Sequence, residues 1–200
     1  MPEAVAGSGP ILPPSVPRRR SLGRRLIGSA VLRAMGWRIT GAFPDLRKFV
    51  VIVAPHTSNW DFIVGFAAYL AIELDASWLG KHTIFRWPFG ALFRYFGGIP
   101  VVRSQAANVV DLHVREFNAR EHLVFVIAPE GTRKRIPEWK SGFYRIAVGA
   151  GVAIVPVALD FGQRLIRILP PFTPTSDYEA DLGQLKANFT RDMARRPEGF

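Results

Sequence analysis

One stretch near the start of the chain constrains the fold more than any other. Residues 49–54 are six consecutive apolar residues, four of them β-branched. Such a run predicts a central strand that is buried on both faces, because a half-exposed strand would alternate apolar and polar side chains. Pro55 lacks the N–H that a strand ladder requires, so the strand must end there and leave His56 at the edge of the sheet.

Asp61 follows His56 by five positions, and two interpretations of this pair remain open. The uncharged residues 62–72 predict a buried helix, which puts Asp61 in its first turn, where the helix dipole favours a carboxylate. There, Asp61 could orient His56 as a general base. However, Ser58 and Asp61 also have the spacing of a capping box, which would give Asp61 a purely structural role.

The rest of the sequence alternates between strand and helix patterns. Strands are predicted at residues 76–80, 99–102, 123–128, 152–159 and 164–169. Helices are predicted at residues 86–96 (a short helix or turn), from 104, at 142–149, and from a capping box at 176–179 with the apolar stripe Tyr178, Leu182, Leu185, Phe189 and Met193. This alternation predicts a single α/β domain with a mostly parallel sheet flanked by helices. The 200 residues, 48% of them hydrophobic, suit one such domain.

The amino-terminal end is strongly basic. Of the net charge of +10, most lies in residues 1–48, which carry nine arginine and lysine residues against two acidic ones. Residues 1–17, rich in proline and small side chains, are expected to form a disordered tail, and residues 41–200 the folded domain. Residues 18–40 predict a basic amphipathic helix, with Leu22 and Leu26 on its apolar arc, that lies on an anionic membrane surface. An ordinary helix packed on the domain is the alternative.

Composition excludes several classes of function. The chain has no cysteine, so disulfides, thiol nucleophiles and cysteine-ligated metals are excluded, and no metal site or cofactor is expected. No apolar run approaches the roughly 18 to 20 residues needed to span a bilayer. Nucleic acid is not expected as a partner, because Arg103 and Arg133 stand singly after predicted strands rather than along an exposed helix. His82, His113 and His122 have no partner at a recognisable spacing and are interpreted as structural.

Further candidate residues follow the predicted strands. Arg103 comes after one strand, and the sequence Glu130-Gly131-Thr132-Arg133 comes after another. In open α/β sheets ligands bind at the carboxyl ends of strands, so these residues are expected near His56. A flexible glycine, a hydroxyl and a guanidinium suit a phosphate monoester, which arginine binds through two parallel hydrogen bonds. Glu130 is expected to orient one of the two arginines from behind.

Four blocks in order resemble the glycerophospholipid acyltransferases typified by 1-acyl-glycerol-3-phosphate acyltransferase. His56 and Asp61 look like the His-x4-Asp motif of that family, and the sequence Glu130-Gly131-Thr132-Arg133 looks like its third block. Residues 98–103 and 155–157 resemble its second and fourth blocks, and residues 81–90 and 140–142 are also similar to family sequence. The resemblance covers about residues 45–160.

The resemblance implies a reaction and a set of roles. A fatty acyl group would pass from acyl-CoA or acyl carrier protein to a lysophospholipid hydroxyl, most simply 1-acyl-glycerol-3-phosphate, giving phosphatidate without a metal. His56 would remove the hydroxyl proton and Asp61 would orient His56. The substrate-binding residues would be Arg103, Glu130, Gly131, Thr132, Arg133 and Lys140. Among them the three cations would bind the acceptor phosphate, the glycine would allow its close approach and the threonine would donate a hydrogen bond. The protein is expected to be cytoplasmic and peripheral on the inner face of the membrane.

Three alternatives remain at the level of sequence. The acceptor could be another lysolipid, such as a lyso-amino-lipid. Water could replace the acceptor hydroxyl, which would make the protein an acyl thioester hydrolase. The chain could also be a non-enzymatic membrane-binding module, in which Asp61 serves only as a helix cap.

Overall fold

The computed structural model describes residues 12–101, 106–133 and 135–200. Its strands are β1 (Arg38–Thr40), β2 (Lys48–Ala54), β3 (Ser77–Lys81), β4 (Gly98–Val101), β5 (Leu123–Ile127), β6 (Ala153–Asp160) and β7 (Leu165–Ile168). Its helices are α1 (Leu22–Ala34), α2 (Asn59–Ala71), α3 (Gly90–Tyr95), α4 (Ala106–Ala119), α5 (Gly142–Ala150) and α6 (Tyr178–Lys186), with short 3-10 turns at His82–Phe85, Arg191–Met193 and Pro197–Gly199.

Across the described residues, seven strands form one sheet in the order β1-β7-β6-β2-β5-β3-β4. The strands pair in parallel at every step except β6 with β7, which are antiparallel. β2 lies between β6 and β5, at the centre of the sheet. The prediction of a single α/β domain with a mostly parallel sheet flanked by helices is confirmed.

The side chains of β2 alternate between two hydrophobic clusters. Phe49 and Val51 face the cluster that includes α1 and α2, whereas Val50 and Ile52 face the cluster beneath α4, α5 and α6. All four are at most 2% exposed. The uninterrupted apolar run is therefore explained, since each face of β2 is covered by helices and neither tolerates a polar residue.

The amino-terminal helix is shorter than the predicted 18–40. α1 ends at Ala34, and Gly36 follows with a φ of +72°, a left-handed conformation that terminates helices. Trp37 then packs edge-on against Phe161, with ring centroids 4.8 Å apart, and the chain continues as β1. Aromatic packing and pairing with β7 therefore replace the last turn of the predicted helix.

α1 packs on α2 through an unexpected face. Its buried residues are Arg24, Gly28 and Leu32, whereas Leu22 and Leu26 of the predicted apolar arc are 62% and 54% exposed. Gly28 permits the approach, because a Cβ there would lie 2.4 Å from the backbone nitrogen of Ala71. The apolar arc therefore faces outward. No helix in the described part of the chain is long and apolar enough to cross a membrane.

Residues 12–17 differ from the expected disordered tail. Leu12 and Val16 are 3% and 1% exposed and belong to the core cluster on the α1 and α2 face. The Asp75 N–H donates to the Pro17 carbonyl at 3.0 Å, which ties the segment to the chain after α2. Burial of two apolar side chains offsets the entropy of ordering this short, proline-restricted segment. Residues 1–11 lie outside the described residues.

The last helix also differs from its prediction. Ser176 has a φ of +78°, so it cannot adopt the extended conformation of an N-cap, and Asp177 caps α6 instead. α6 ends at Lys186, before the last two residues of the predicted stripe. Phe189 is nevertheless buried and Met193 partly buried, and both pack on the cluster beneath α6. The apolar stripe predicted core contacts correctly but extended the helix too far.

Candidate active site

The turn between β2 and α2 carries His56 and is closed by a capping box. The Ser58 side chain accepts a hydrogen bond from the Trp60 N–H at 3.1 Å, and the Asp61 carboxylate accepts from the Ser58 N–H at 2.6 Å. The Ser58 hydroxyl also donates to the other Asp61 oxygen at 3.0 Å. Asp61 therefore performs the structural role that its spacing indicated, and it is only 2% exposed.

The same carboxylate also contacts His56. Nδ1 of His56 lies 3.4 Å from Oδ2 of Asp61, and the His56 side chain keeps 20% of its surface exposed while that of Asp61 keeps 1%. With Nδ1 facing the carboxylate, the ring proton is held on Nδ1 and Nε2 is left as the basic nitrogen. Asp61 thus caps α2 and also contacts the imidazole of His56.

The surroundings of His56 favour its neutral form. Burial, together with the smaller effect of the positive charge of Arg133, lowers the pKa of His56 from 6.5 to about 4. Burial likewise raises the pKa of Asp61, although its hydrogen bonds from Ser58 oppose that shift. At neutral pH the imidazole is therefore uncharged and able to accept a proton.

Glu130, in the loop after β5, holds the backbone of the same turn. Its two carboxylate oxygens accept hydrogen bonds from the His56 N–H at 3.0 and 2.9 Å. Glu130 is 7% exposed, and burial raises its pKa to about 7. The sequence predicted that Glu130 orients an arginine, but these hydrogen bonds run to His56. The reason is the parallel pairing of β2 with β5, which brings the ends of both strands together.

The loop after Glu130 brings two more predicted residues together. Gly131 has a φ of +62°, and a Cβ there would lie 3.1 to 3.2 Å from the Cδ, Cε and Nζ atoms of Lys140. The Lys140 N–H donates to the Pro129 carbonyl at 2.9 Å, which fixes this approach. A side chain at position 131 would be strained by the backbone and crowded by the lysine, so glycine suits both constraints.

Of the remaining predicted residues, the structure describes Arg133 and Thr132. Arg133 is exposed, and its charge acts on both His56 and Asp61, so its guanidinium is near the pair. Thr132 lies beside it and is partly exposed. Arg103 lies outside the described residues. Among the residues the structure describes, no group of three or more histidine and carboxylate side chains could hold a metal ion.

One neighbour of the site has no counterpart in the sequence analysis. Thr57, 2% exposed, accepts a hydrogen bond from the Arg196 N–H at 3.1 Å. Gly199 lies close by, since a Cβ there would be 3.3 Å from the Thr57 Cβ and 3.4 Å from the Arg133 carbonyl oxygen. The separation of 139 residues between Thr57 and Arg196 explains why no spacing pattern indicated the contact.

Taken together, the carboxyl ends of β2 and β5 present a neutral imidazole, an oriented carboxylate and two flexible cations. This arrangement can remove a proton from a hydroxyl while binding an anionic group on the same molecule. The chain contains no cysteine, and the Ser58 hydroxyl is engaged by Asp61. The geometry of the described residues thus favours a base that activates a hydroxyl of the substrate.

Comparisons with known proteins place the chain in a family. The family described as Acyltransferase matches residues 38–160. The 1-acyl-sn-glycerol-3-phosphate acyltransferase of Salmonella typhimurium is 27% identical over 150 residues, which cover 66% of this chain and 59% of that protein. The enzyme of the same name from Haemophilus influenzae is 25% identical and covers 80% of this chain and 74% of its own. This chain thus spans less than two thirds of the Salmonella relative.

A solved structure shares the fold. The crystal structure of the 1-acyl-sn-glycerophosphate (LPA) acyltransferase PlsC from Thermotoga maritima superimposes with a TM-score of 0.59 at 19% sequence identity. The match covers 84% of this chain and 80% of the other. The seven-stranded arrangement seen across the described residues is therefore similar to that of a known acyltransferase.

Proposed function

Because this chain belongs to the acyltransferase family, we propose that it transfers a fatty acyl group from acyl-CoA or acyl carrier protein to the free hydroxyl of a lysophospholipid. The acceptor that fits best is 1-acyl-glycerol-3-phosphate, and the product is then phosphatidate. The observation that carries this proposal is a neutral His56, held 3.4 Å from Asp61, with the Arg133 charge beside it.

In this mechanism His56 acts as the general base and Asp61 orients it. Nε2 of His56 takes the proton of the acceptor hydroxyl as the hydroxyl oxygen attacks the thioester carbonyl carbon. The tetrahedral intermediate then expels the thiolate, which takes up the proton from the His56 imidazolium and leaves as the free thiol. The new ester bond replaces the thioester bond, so neither a metal nor a redox partner takes part.

The acceptor phosphate would be bound by the cations of the neighbouring loops. Arg133 can form two parallel hydrogen bonds to a phosphate, and Lys140 adds an ammonium beside Gly131. Arg103 and the Thr132 hydroxyl complete the proposed phosphate site. In this role Glu130 acts indirectly, because it holds the His56 backbone while the cations hold the substrate.

The outward face of α1 supports a membrane surface as the place of reaction. Leu22, Leu26 and Ile27 are 62%, 54% and 61% exposed, next to a basic segment. Arg19 stacks on the ring of Tyr95 at 4.0 Å, which joins this segment to the region around α3. That region exposes Trp87, at 93% of its surface, among other aromatic side chains. Exposed apolar side chains among arginines suit an anionic membrane interface.

A transfer assay tests the reaction. We would measure labelled phosphatidate formed from acyl-CoA and 1-acyl-glycerol-3-phosphate, with wild type, Arg133→Ala and the control Arg135→Ala, which removes an exposed arginine of the same loop region. Loss of a charge-assisted phosphate contact predicts an acceptor KM raised about 10- to 100-fold in Arg133→Ala and little change in Arg135→Ala. Equal effects of both variants would contradict a specific phosphate site.

The same assay separates the alternative activities. Activity on a phosphate-free lysolipid but not on 1-acyl-glycerol-3-phosphate would retain acyl transfer and reject the proposed acceptor. Release of free fatty acid at a rate independent of acceptor concentration would instead identify a thioester hydrolase. Absence of both transfer and hydrolysis would favour a membrane-binding module.

Vesicle binding tests the proposed membrane contact. Wild type should sediment with vesicles that contain phosphatidylglycerol and less with phosphatidylcholine alone. Leu26→Glu should weaken this binding, whereas Leu112→Glu is a matched control, since Leu112 is 53% exposed but lies on α4, across the sheet from α1. Equal binding by the two variants would reject the α1 surface as the contact.

A further inference from the structure

The segment after α6 crosses the carboxyl edge of the sheet in the order of its central strands. At β6, the Phe161 N–H donates to the Met193 carbonyl at 2.9 Å. At β2, the Arg196 N–H donates to the Thr57 hydroxyl at 3.1 Å. Beyond β5, Gly199 packs against the backbone of Arg133. The segment therefore contacts both loops that supply the proposed active site.

Hydrogen bonds and burial give this segment a defined structure. The Arg191 guanidinium donates to the Pro197 carbonyl at 2.9 Å, and the Gly199 N–H donates to the Arg196 carbonyl at 2.9 Å. Ala194 is 6% exposed, and the Thr57 side chain beneath the segment is 2% exposed. The backbone of the segment is thus held from within and from below.

We propose that residues 194–199, the carboxyl-terminal clasp, position the His56 turn relative to the Arg133 loop. The proposal rests on the proposed function, in which one acceptor molecule must reach His56 and Arg133 at the same time. These two residues follow different strands, and a displacement of about 1 Å between them would cost about 100-fold in rate. Glu130 joins the two loops on the inner side, and the clasp joins them on the outer side.

Thr57 is the positioning residue that makes this proposal testable. Thr57→Val keeps the shape of the side chain but removes the acceptor for the Arg196 N–H, whereas Thr57→Ser keeps the hydroxyl. We expect the acceptor KM to rise about 5- to 20-fold in Thr57→Val, the donor KM to stay within twofold, and Thr57→Ser to return near wild type, in line with the loss of one hydrogen bond. A merely structural role would lower the free energy of unfolding without this selective change in the acceptor KM.

A second readout does not depend on turnover. Hydrogen exchange of peptides covering residues 55–61 and 129–133 should accelerate in Thr57→Val and recover in Thr57→Ser. If wild type transfers no acyl group to any acceptor, the proposed function fails, and this exchange result still decides whether the clasp holds the two loops. Unchanged exchange in both peptides would overturn the proposal.

A matched pair of glycine variants provides an independent test. Gly199→Leu forces a side chain against Thr57 and Arg133, whereas Gly183→Leu adds the same side chain to α6, where a Cβ would meet nothing within 4 Å. We expect Gly199→Leu to accelerate exchange in the two loops and to raise the acceptor KM, and Gly183→Leu to change neither. Equal behaviour of the two variants would also overturn the proposal.

Discussion

Two histidines in this protein make the same kind of contact in different surroundings. Nδ1 of His56 lies 3.4 Å from an Asp61 oxygen, and Nδ1 of His113 lies 3.4 Å from a Glu116 oxygen. Burial lowers the pKa of both imidazoles. A histidine beside a carboxylate, even with a shifted pKa, therefore does not identify an active site.

The two histidines differ in the other groups that surround them. His113 belongs to the middle of α4, is 1% exposed, and packs against Phe125 with ring centroids 4.3 Å apart. Its carboxylate partner is three residues away on the same helix. The His56 side chain keeps 20% of its surface exposed, and two groups from the loop after β5 act on this residue. Glu130 accepts hydrogen bonds from its backbone N–H, and the charge of Arg133 acts on its imidazole. Convergence of separate chain segments distinguishes the proposed site from the core contact.

Replacement of His56 should give the largest difference in activity between variants of the two histidines. Loss of a general base predicts a fall in kcat/KM of about 10²- to 10⁴-fold in His56→Ala. The free energy of unfolding should change far less. His122→Ala, which removes an exposed histidine, is the control and should retain activity. Activity that is indifferent to His56 would remove the proposed mechanism and leave the two histidines equivalent.

Replacement of His113 should give the opposite result. His113→Ala leaves a void beside Phe125, and large-to-small changes in a core cost about 2 to 4 kcal/mol of unfolding free energy. Urea unfolding measures this loss, and kcat of the folded protein should remain within a few fold of wild type. A large fall in kcat without loss of stability would assign His113 a role beyond packing.

The sequence predicted the elements of the fold better than their ends. The apolar run that becomes β2 has one physical solution, burial on both faces, so the central strand and the His56 turn followed directly. The ends of α1 and α6 depended on left-handed backbone at Gly36 and Ser176, and a periodic pattern does not encode those conformations. The apolar arc of α1 also did not reveal that Gly28 lies close against the backbone of α2.

For the site, sequence motifs predicted several residues that lie close together in the described structure, such as His56 and Asp61, but not all of the contacts between them. Glu130 and Lys140 were expected at the site, yet the contact of Glu130 with the His56 N–H follows from strand pairing. The contact of Thr57 with Arg196 joins residues far apart in the chain and had no pattern to reveal it. Local spacing thus predicts single elements, whereas contacts between elements require the tertiary structure.

Replacement of Glu130 should change activity less than replacement of His56. It tests the hydrogen bonds that the Glu130 carboxylate accepts from the His56 backbone N–H, which distinguish His56 from His113. Glu130→Gln keeps one acceptor for the His56 N–H but loses the charge, so we expect kcat to fall about tenfold, in line with the loss of a charge-assisted hydrogen bond. In wild type, kcat/KM should rise as pH increases through about 7, where Glu130 ionises and binds the amide more strongly. That rise should be absent from the pH profile of Glu130→Gln.

The smallest expected effect is that of the Arg133 charge on the pKa of His56. Arg133 lowers the pKa of His56, although burial contributes more. Removing the positive charge in Arg133→Gln should therefore raise the pKa of His56 and move the acid limb of kcat/KM upward, while burial still keeps it below 6.5. Measurement in a Glu130→Gln background removes the second titration, and Arg135→Gln should leave the limb in place. A limb that Arg133→Gln does not move would mean that burial alone keeps His56 neutral and that Arg133 serves only the acceptor.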